Sequence, residues 1–227
     1  MKHMLQSLLN SLIPMLYMIP IMLISLTLHE CAHGLMALKL GDTTARDAGR
    51  LSLNPLKHLD PMGAIMMVIA RVGWAKPVPV NPMNFKDPKN GMALVGLAGP
   101  VTNLIVAFGA AFPVALIEQA VNLHGMKLTS FLEILYVFCY LLFQANIFLA
   151  LFNLIPVPPF DGSRIMFGIL PDRYYFSVMR YERIVGMVFL MIFFIFRSQF
   201  AAVLDIIASP ITKSFLFVAN WFVGLFY

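Results

Sequence analysis

Near the start of the chain, His29-Glu30-Cys31-Ala32-His33 has the residue types and spacing that hydrolytic metal chemistry needs. In a helix, positions i and i+4 lie about 40° apart, so both imidazoles can reach one ion from a single face. Glu30 can then reach a water bound to that ion. Zinc brings such a water's pKa toward about 7, and the glutamate can take its proton as general base. The pattern has two free positions and turns up by chance in soluble chains. Here it lies at the end of an apolar run, where ionisable side chains are costly and mark functional sites. Cys31 points about 200° around the helix from His29 and falls outside the ligand set.

A catalytic zinc takes a third protein ligand and keeps one position open. Asp161, in Asn153-Leu154-Ile155-Pro156-Val157-Pro158-Pro159-Phe160-Asp161-Gly162, is the first choice. His58, Asp60, Asp42 and Asp47 are its rivals, and the plain alternative for Asp161 is a turn residue before Gly162. Two asparagines in apolar segments, Asn103 and Asn153, have two readings. Either they tie helices together, or their amides grip a substrate backbone or a developing oxyanion near the metal. Asn146, within the same span as Asn153, reads as interhelical glue.

These side chains need a scaffold, and composition selects it. Of 227 residues, 60% are hydrophobic and 12% charged, against about 45–50% and 25% in a soluble domain. That excludes a water-soluble globular protein, a disordered chain and a nucleic-acid binder. The net charge of +5 fits the Lys and Arg that orient membrane proteins. The expectation is an all-α polytopic membrane protein of about five to six transmembrane helices, a single membrane-embedded domain over 1–227. Its catalytic core covers about 8–162 and its C-terminal helices about 183–227.

The spans expected are 8–38, 91–117, 130–156 and 183–197, with 203–226 either crossing the bilayer or folding back. Residues 39–90 differ, with many basic residues and prolines. Inside this stretch Pro61–Ala70 is too short to span and reads as re-entrant, and Val72–Val80 reads as an extended edge segment that could pair with an unwound substrate. If Pro61–Ala70 does not cross, segments 39–90 and 157–182 share one side and, with Arg183, carry twelve of the sixteen Lys and Arg. The positive-inside rule makes that side cytoplasmic and the N-terminus external. Asp161 then lies at the same membrane face as His29 and His33.

Several separated pieces resemble the site-2 protease family of intramembrane zinc metalloproteases. They are His29-Glu30-x-x-His33-Gly34, Gly41-Asp42-x-Thr44, Gly49-Arg50-Leu51-Ser52-Leu53-Asn54-Pro55, His58-x-Asp60-Pro61-x-Gly63, Ala98-Gly99-Pro100-x-x-Asn103 and the Asn153 to Gly162 stretch. The resemblance implies one zinc held by His29, His33 and Asp161, with Glu30 catalytic and Asn103 and Asn153 beside the site. It implies a minimal member that cuts transmembrane segments of membrane proteins; the positive-inside bias adds the expectation of a site near the cytoplasmic face of a prokaryotic cell membrane. A metal transporter is the alternative from another class and predicts ligands spread across the bilayer. A catalytically inactive membrane chaperone predicts a broken ligand set.

Overall fold

Buried positions recurring every fourth residue decide how the helices face one another. The computed structural model describes residues 2–63, 65, 74–124, 129–170 and 172–226. Helix α1, Lys2–Lys39, buries Ile21, Ser25, His29, His33 and Ala37, a stripe at i, i+4 along one face. Next come a short turn of helix, α2 (Thr44–Asp47), and the long helix α3 (Pro88–His124). Helix α3 repeats the stripe at Val95, Gly99, Asn103, Ala107, Ala111 and Ala115. Helix α4 is Ser130–Asn153, α5 is the short Asp161–Ile169, α6 is Asp172–Ile195 and α7 is Arg197–Gly224.

The centre of the bundle is α3, which packs against α1, α4, α5 and α7. Small residues make that possible. Ala107, Ala110, Ala111 and Ala115 meet Phe143 and Ile147 of α4 and Ala219 and Val223 of α7. In a bilayer no hydrophobic force drives helices together, so close approach through small side chains and dispersion contact has to do it. Pro100 and Pro113 lie inside α3, and Pro210 inside α7, without ending either helix. Neighbouring helices and local adjustment satisfy the freed carbonyls in such settings.

The chain is an all-α, multi-pass membrane protein. Among the described residues, four helical segments are long and apolar enough to cross a bilayer: Leu16–Lys39, Pro88–Asn122, Ser130–Asn153 and Arg197–Gly224. The expected span near 183–197 is the apolar end of α6, Ile184–Ile195, which is shorter than a crossing needs. The last stretch, expected either to cross or to fold back, lies in one continuous helix, Arg197–Gly224, that runs through Pro210. Most of the expected re-entrant piece, Pro61–Ala70, lies outside the described residues.

The polar stretch after α1 is held by side-chain ties. Asp42, fully buried, accepts hydrogen bonds from the Thr44 amide and hydroxyl, the Asn81 amide and the Asn84 side chain. Burial pushes its carboxyl pKa up, but those donors outweigh it and hold the pKa below the usual carboxylate value. Leu59 and Ala75 form an isolated antiparallel bridge, the Lys76 amide donates to the His58 carbonyl, and the Arg50 guanidinium reaches the Lys76 carbonyl. From Trp74 to Val80 the chain has no helix and Ala75 carries its one bridge, while Val72 and Gly73 of the expected extended segment lie outside the described residues.

Candidate metal centre

Three ligand-type atoms converge where α1, α3 and α5 meet. His29 Nε2 lies 3.0 Å from His33 Nε2 and 3.0 Å from Asp161 Oδ2, and His33 Nε2 lies 3.2 Å from that same oxygen. All three residues are buried. Among the described residues, this is the group of His, Cys, Asp and Glu that could hold a metal ion.

Hydrogen bonding at the far side of each ring sets what those atoms are. His33 Nδ1 is 2.7 Å from the Val95 carbonyl, which can only accept, so the proton sits on Nδ1. His29 Nδ1 is 2.5 Å from Asn103 Oδ1, which places its proton there too. In neutral rings both Nε2 atoms then turn lone pairs toward a carboxylate oxygen that has no hydrogen-bond donor of its own. Three acceptors within 3.2 Å in a dry site repel one another unless a cation sits among them. Ligands around tetrahedral zinc, with bonds of about 2.0–2.2 Å, lie about 3.3 Å apart, close to the separations seen. The donor set fits zinc.

Packing leaves room for the rings through one glycine. A Cβ on Gly99 would lie 2.5 Å from His29 Cε1 and 2.6 Å from His33 Cε1 and Nε2. Gly99 is thus the floor of the site as well as a helix-packing residue. Asp161 is positioned differently, as the first residue of α5. After Pro156, Pro158 and Pro159 the ring of Phe160 packs on Phe152 of α4 at 4.5 Å and on Phe189 of α6 at 5.4 Å. Gly162 follows, where a side chain would run into the carbonyl oxygens of Leu154 and Ile155. An aromatic anchor before Asp161 and a missing side chain after it fix where the carboxylate enters the bundle.

The other candidates have partners of their own. Glu30 is half-buried beside the centre, and its Oε2 accepts the Val78 amide proton at 2.8 Å. Asn103 lies behind His29, accepting from its ring and donating one amide proton to Asn146 Oδ1 at 2.8 Å. Asn153 donates to the Leu149 carbonyl of its own helix. Of the rival ligands, Asp42 ties the loop, Asp60 accepts from the Gly63 amide, and Asp47 pairs with Thr43 and Arg46 at the surface. His58 is buried against the Ser52 carbonyl. The Val95 carbonyl could not be found from side-chain types, because a main-chain acceptor is shared by every residue.

Comparison with known proteins gives the family. The profile of peptidase family M50 matches residues 17–196. The chain belongs to peptidase family M50. It is 43% identical to "Putative zinc metalloprotease YwhC" of Bacillus subtilis over 81% of this chain and 81% of that protein. It is 27% identical to "Zinc metalloprotease MJ0392" of Methanocaldococcus jannaschii, over 68% of this chain and 34% of the relative. No solved structure matches. The matched M50 region contains His29, Glu30, His33, Asn103, Asn153 and Asp161.

Proposed function

We propose that this M50 protein is an intramembrane endopeptidase. It hydrolyses peptide bonds in or near transmembrane segments of other membrane proteins, with His29, His33 and Asp161 holding one zinc and Glu30 acting as general base. The observation that carries the reading is the buried trio of acceptor atoms within 3.2 Å of one another, set inside apolar helices. When bound, zinc supplies Lewis-acid polarisation of a water and of the scissile carbonyl.

The chain's own residues do the rest. The Val95 carbonyl and Asn103 keep both histidines protonated at Nδ1, so their Nε2 atoms stay available. The Val78 amide holds one Glu30 oxygen, leaving the other to accept a proton from water and pass it to the leaving amine. One donor of the Asn153 amide bonds to Leu149, and the second is proposed to steady the peptide carbonyl. Pro77 and Pro79 lack amide protons, and Val78 has given its own to Glu30, so a substrate strand can donate to the carbonyls of this segment. The twelve basic residues on one side of the expected topology support a site that faces the cytoplasm with the N-terminus outside.

A metal-ion transporter is less well supported, since the ligands gather at one point. The deciding experiment measures zinc in the detergent-purified protein and cleavage of a membrane-span reporter by wild type, Glu30→Gln and Asp161→Ala. Glu30→Gln should keep zinc and lose cutting, and Asp161→Ala should lose both. Cleavage that survives Glu30→Gln removes the general-base assignment.

A further inference from the structure

His29 and His33 have the same task but are held by unlike partners. His33 donates to a main-chain carbonyl, which cannot turn. His29 faces a side-chain amide, which can. Rotating the Asn103 amide by 180° would aim its NH2 at His29 Nδ1, move the ring proton to Nε2 and remove the lone pair a metal needs. Something further out has to fix Asn103.

That something is a chain of buried hydrogen bonds crossing three helices. Asn103 Nδ2 donates to Asn146 Oδ1 at 2.8 Å. Asn146 Nδ2 donates both its protons, one to Ser25 Oγ at 2.8 Å and one to the Leu142 carbonyl at 2.9 Å. Ser25 donates in turn to the Ile21 carbonyl at 2.7 Å. Leu142 and Ile21 present carbonyl oxygens that only accept, so the direction of every bond is set from that end. A flipped Asn146 would face its oxygen toward the Leu142 carbonyl and its NH2 toward that of Asn103. Ser25, Asn103 and Asn146 are at most 1% exposed, so no solvent water can repair a reversed link.

We propose that Asn146 and Ser25 are positioning residues which, through Asn103, hold His29 in the Nδ1–H tautomer that binds metal. The inference rests on the zinc-site reading for its purpose, but the tautomer can be read without metal or substrate. Its competitor is simple interhelical glue, which would stabilise the bundle and leave the ring proton indifferent.

The test uses full-length protein in detergent, labelled with 15N-histidine and stripped of zinc by chelation. Long-range 1H–15N correlation then reports which ring nitrogen of His29 and His33 is protonated. Wild type should show Nδ1–H at both. Asn146→Ala should leave His29 a mixture of tautomers and His33 unchanged, and should lower zinc affinity by about 10–100-fold in chelator competition. Ser25→Ala should act in the same direction and less strongly, because Leu142 still anchors Asn146. A carboxylate can only accept, so adding Asn103→Asp to Asn146→Ala should restore Nδ1–H at His29. Retention of a pure Nδ1–H His29 in Asn146→Ala overturns the proposal. So does equal disturbance of His29 and His33, which marks general packing damage, or failure of Asn103→Asp to restore the tautomer. Loss of protease activity or of zinc in other variants bears on the metalloprotease reading and leaves this result standing.

Discussion

The histidines of this site are defined as much by what lies behind them as by what they face. A neutral imidazole has one donor and one acceptor, so an acceptor at Nδ1 commits Nε2 to be a ligand. Steric room is the second requirement, and Gly99 provides it. Gly99→Ala should push the two rings apart and cut zinc retention at least about 10-fold, a positioning loss of the size expected for a metal site's supporting partners. Gly109, ten residues along α3, has nothing within 4 Å of an added Cβ. Gly109→Ala should therefore keep wild-type zinc content under the same dialysis, and circular dichroism should show both variants equally helical. Equal zinc retention in Gly99→Ala and Gly109→Ala would remove Gly99 from the site.

At the scale of elements, the helix that carries Glu30 is tied to the segment beside it. Glu30 is anchored from Trp74–Val80, a segment itself tied down by His58, Leu59 and Arg50. A charge-assisted hydrogen bond is worth about 1.5–3 kcal/mol, or about 10–150-fold if it acts in the transition state. Val78→Pro deletes that amide proton between two existing prolines, whereas Val78→Ala keeps it and loses only the side chain. The expected outcome is zinc bound in both, with cleavage reduced by about one to two orders of magnitude in Val78→Pro and much less in Val78→Ala. Similar rates for the two variants would mean that Glu30 orients itself. Asp161 depends on an element in another way. Short helix α5 begins at the ligand itself, and the Phe160 anchor links that start to α4 and α6.

For the whole molecule, the question is which way the bundle sits in the membrane. By the positive-inside rule, the basic residues gathered in 39–90 and 157–183 are expected to lie on the cytoplasmic side, with the proposed zinc site. Native Cys31 and Cys139 are both buried, which leaves introduced thiols easy to read. Leu53 is 71% exposed in the loop after α1, and Ser130 is exposed at the start of α4. A membrane-impermeant maleimide applied to intact cells should label Ser130→Cys and spare Leu53→Cys until the membrane is opened. The reverse pattern would turn the protein over and put the site outside.

Much of this was legible from sequence because its physical signal is local. A bilayer demands apolar runs of about 20 residues, and a helix puts i and i+4 on one face, so the bundle, His29, His33 and Glu30 could be read one segment at a time. Asp161 needed one non-local argument, which side of the membrane it occupies, and charge counting supplied it. The continuity of α7 through Pro210 was not legible, because proline breaks a helix locally and only packed neighbours decide whether it does so here. The same holds for the commitment of Asn103 to His29, the part played by Asn146, the Val95 carbonyl and the reach of Val78 to Glu30. Each joins residues from different helices or uses the main chain, which every residue carries alike. Residue types and spacing determined what chemistry this protein holds; the tertiary structure decided which atoms are left free to perform it, since hydrogen-bond direction in a dry interior is set by partners far apart in the chain.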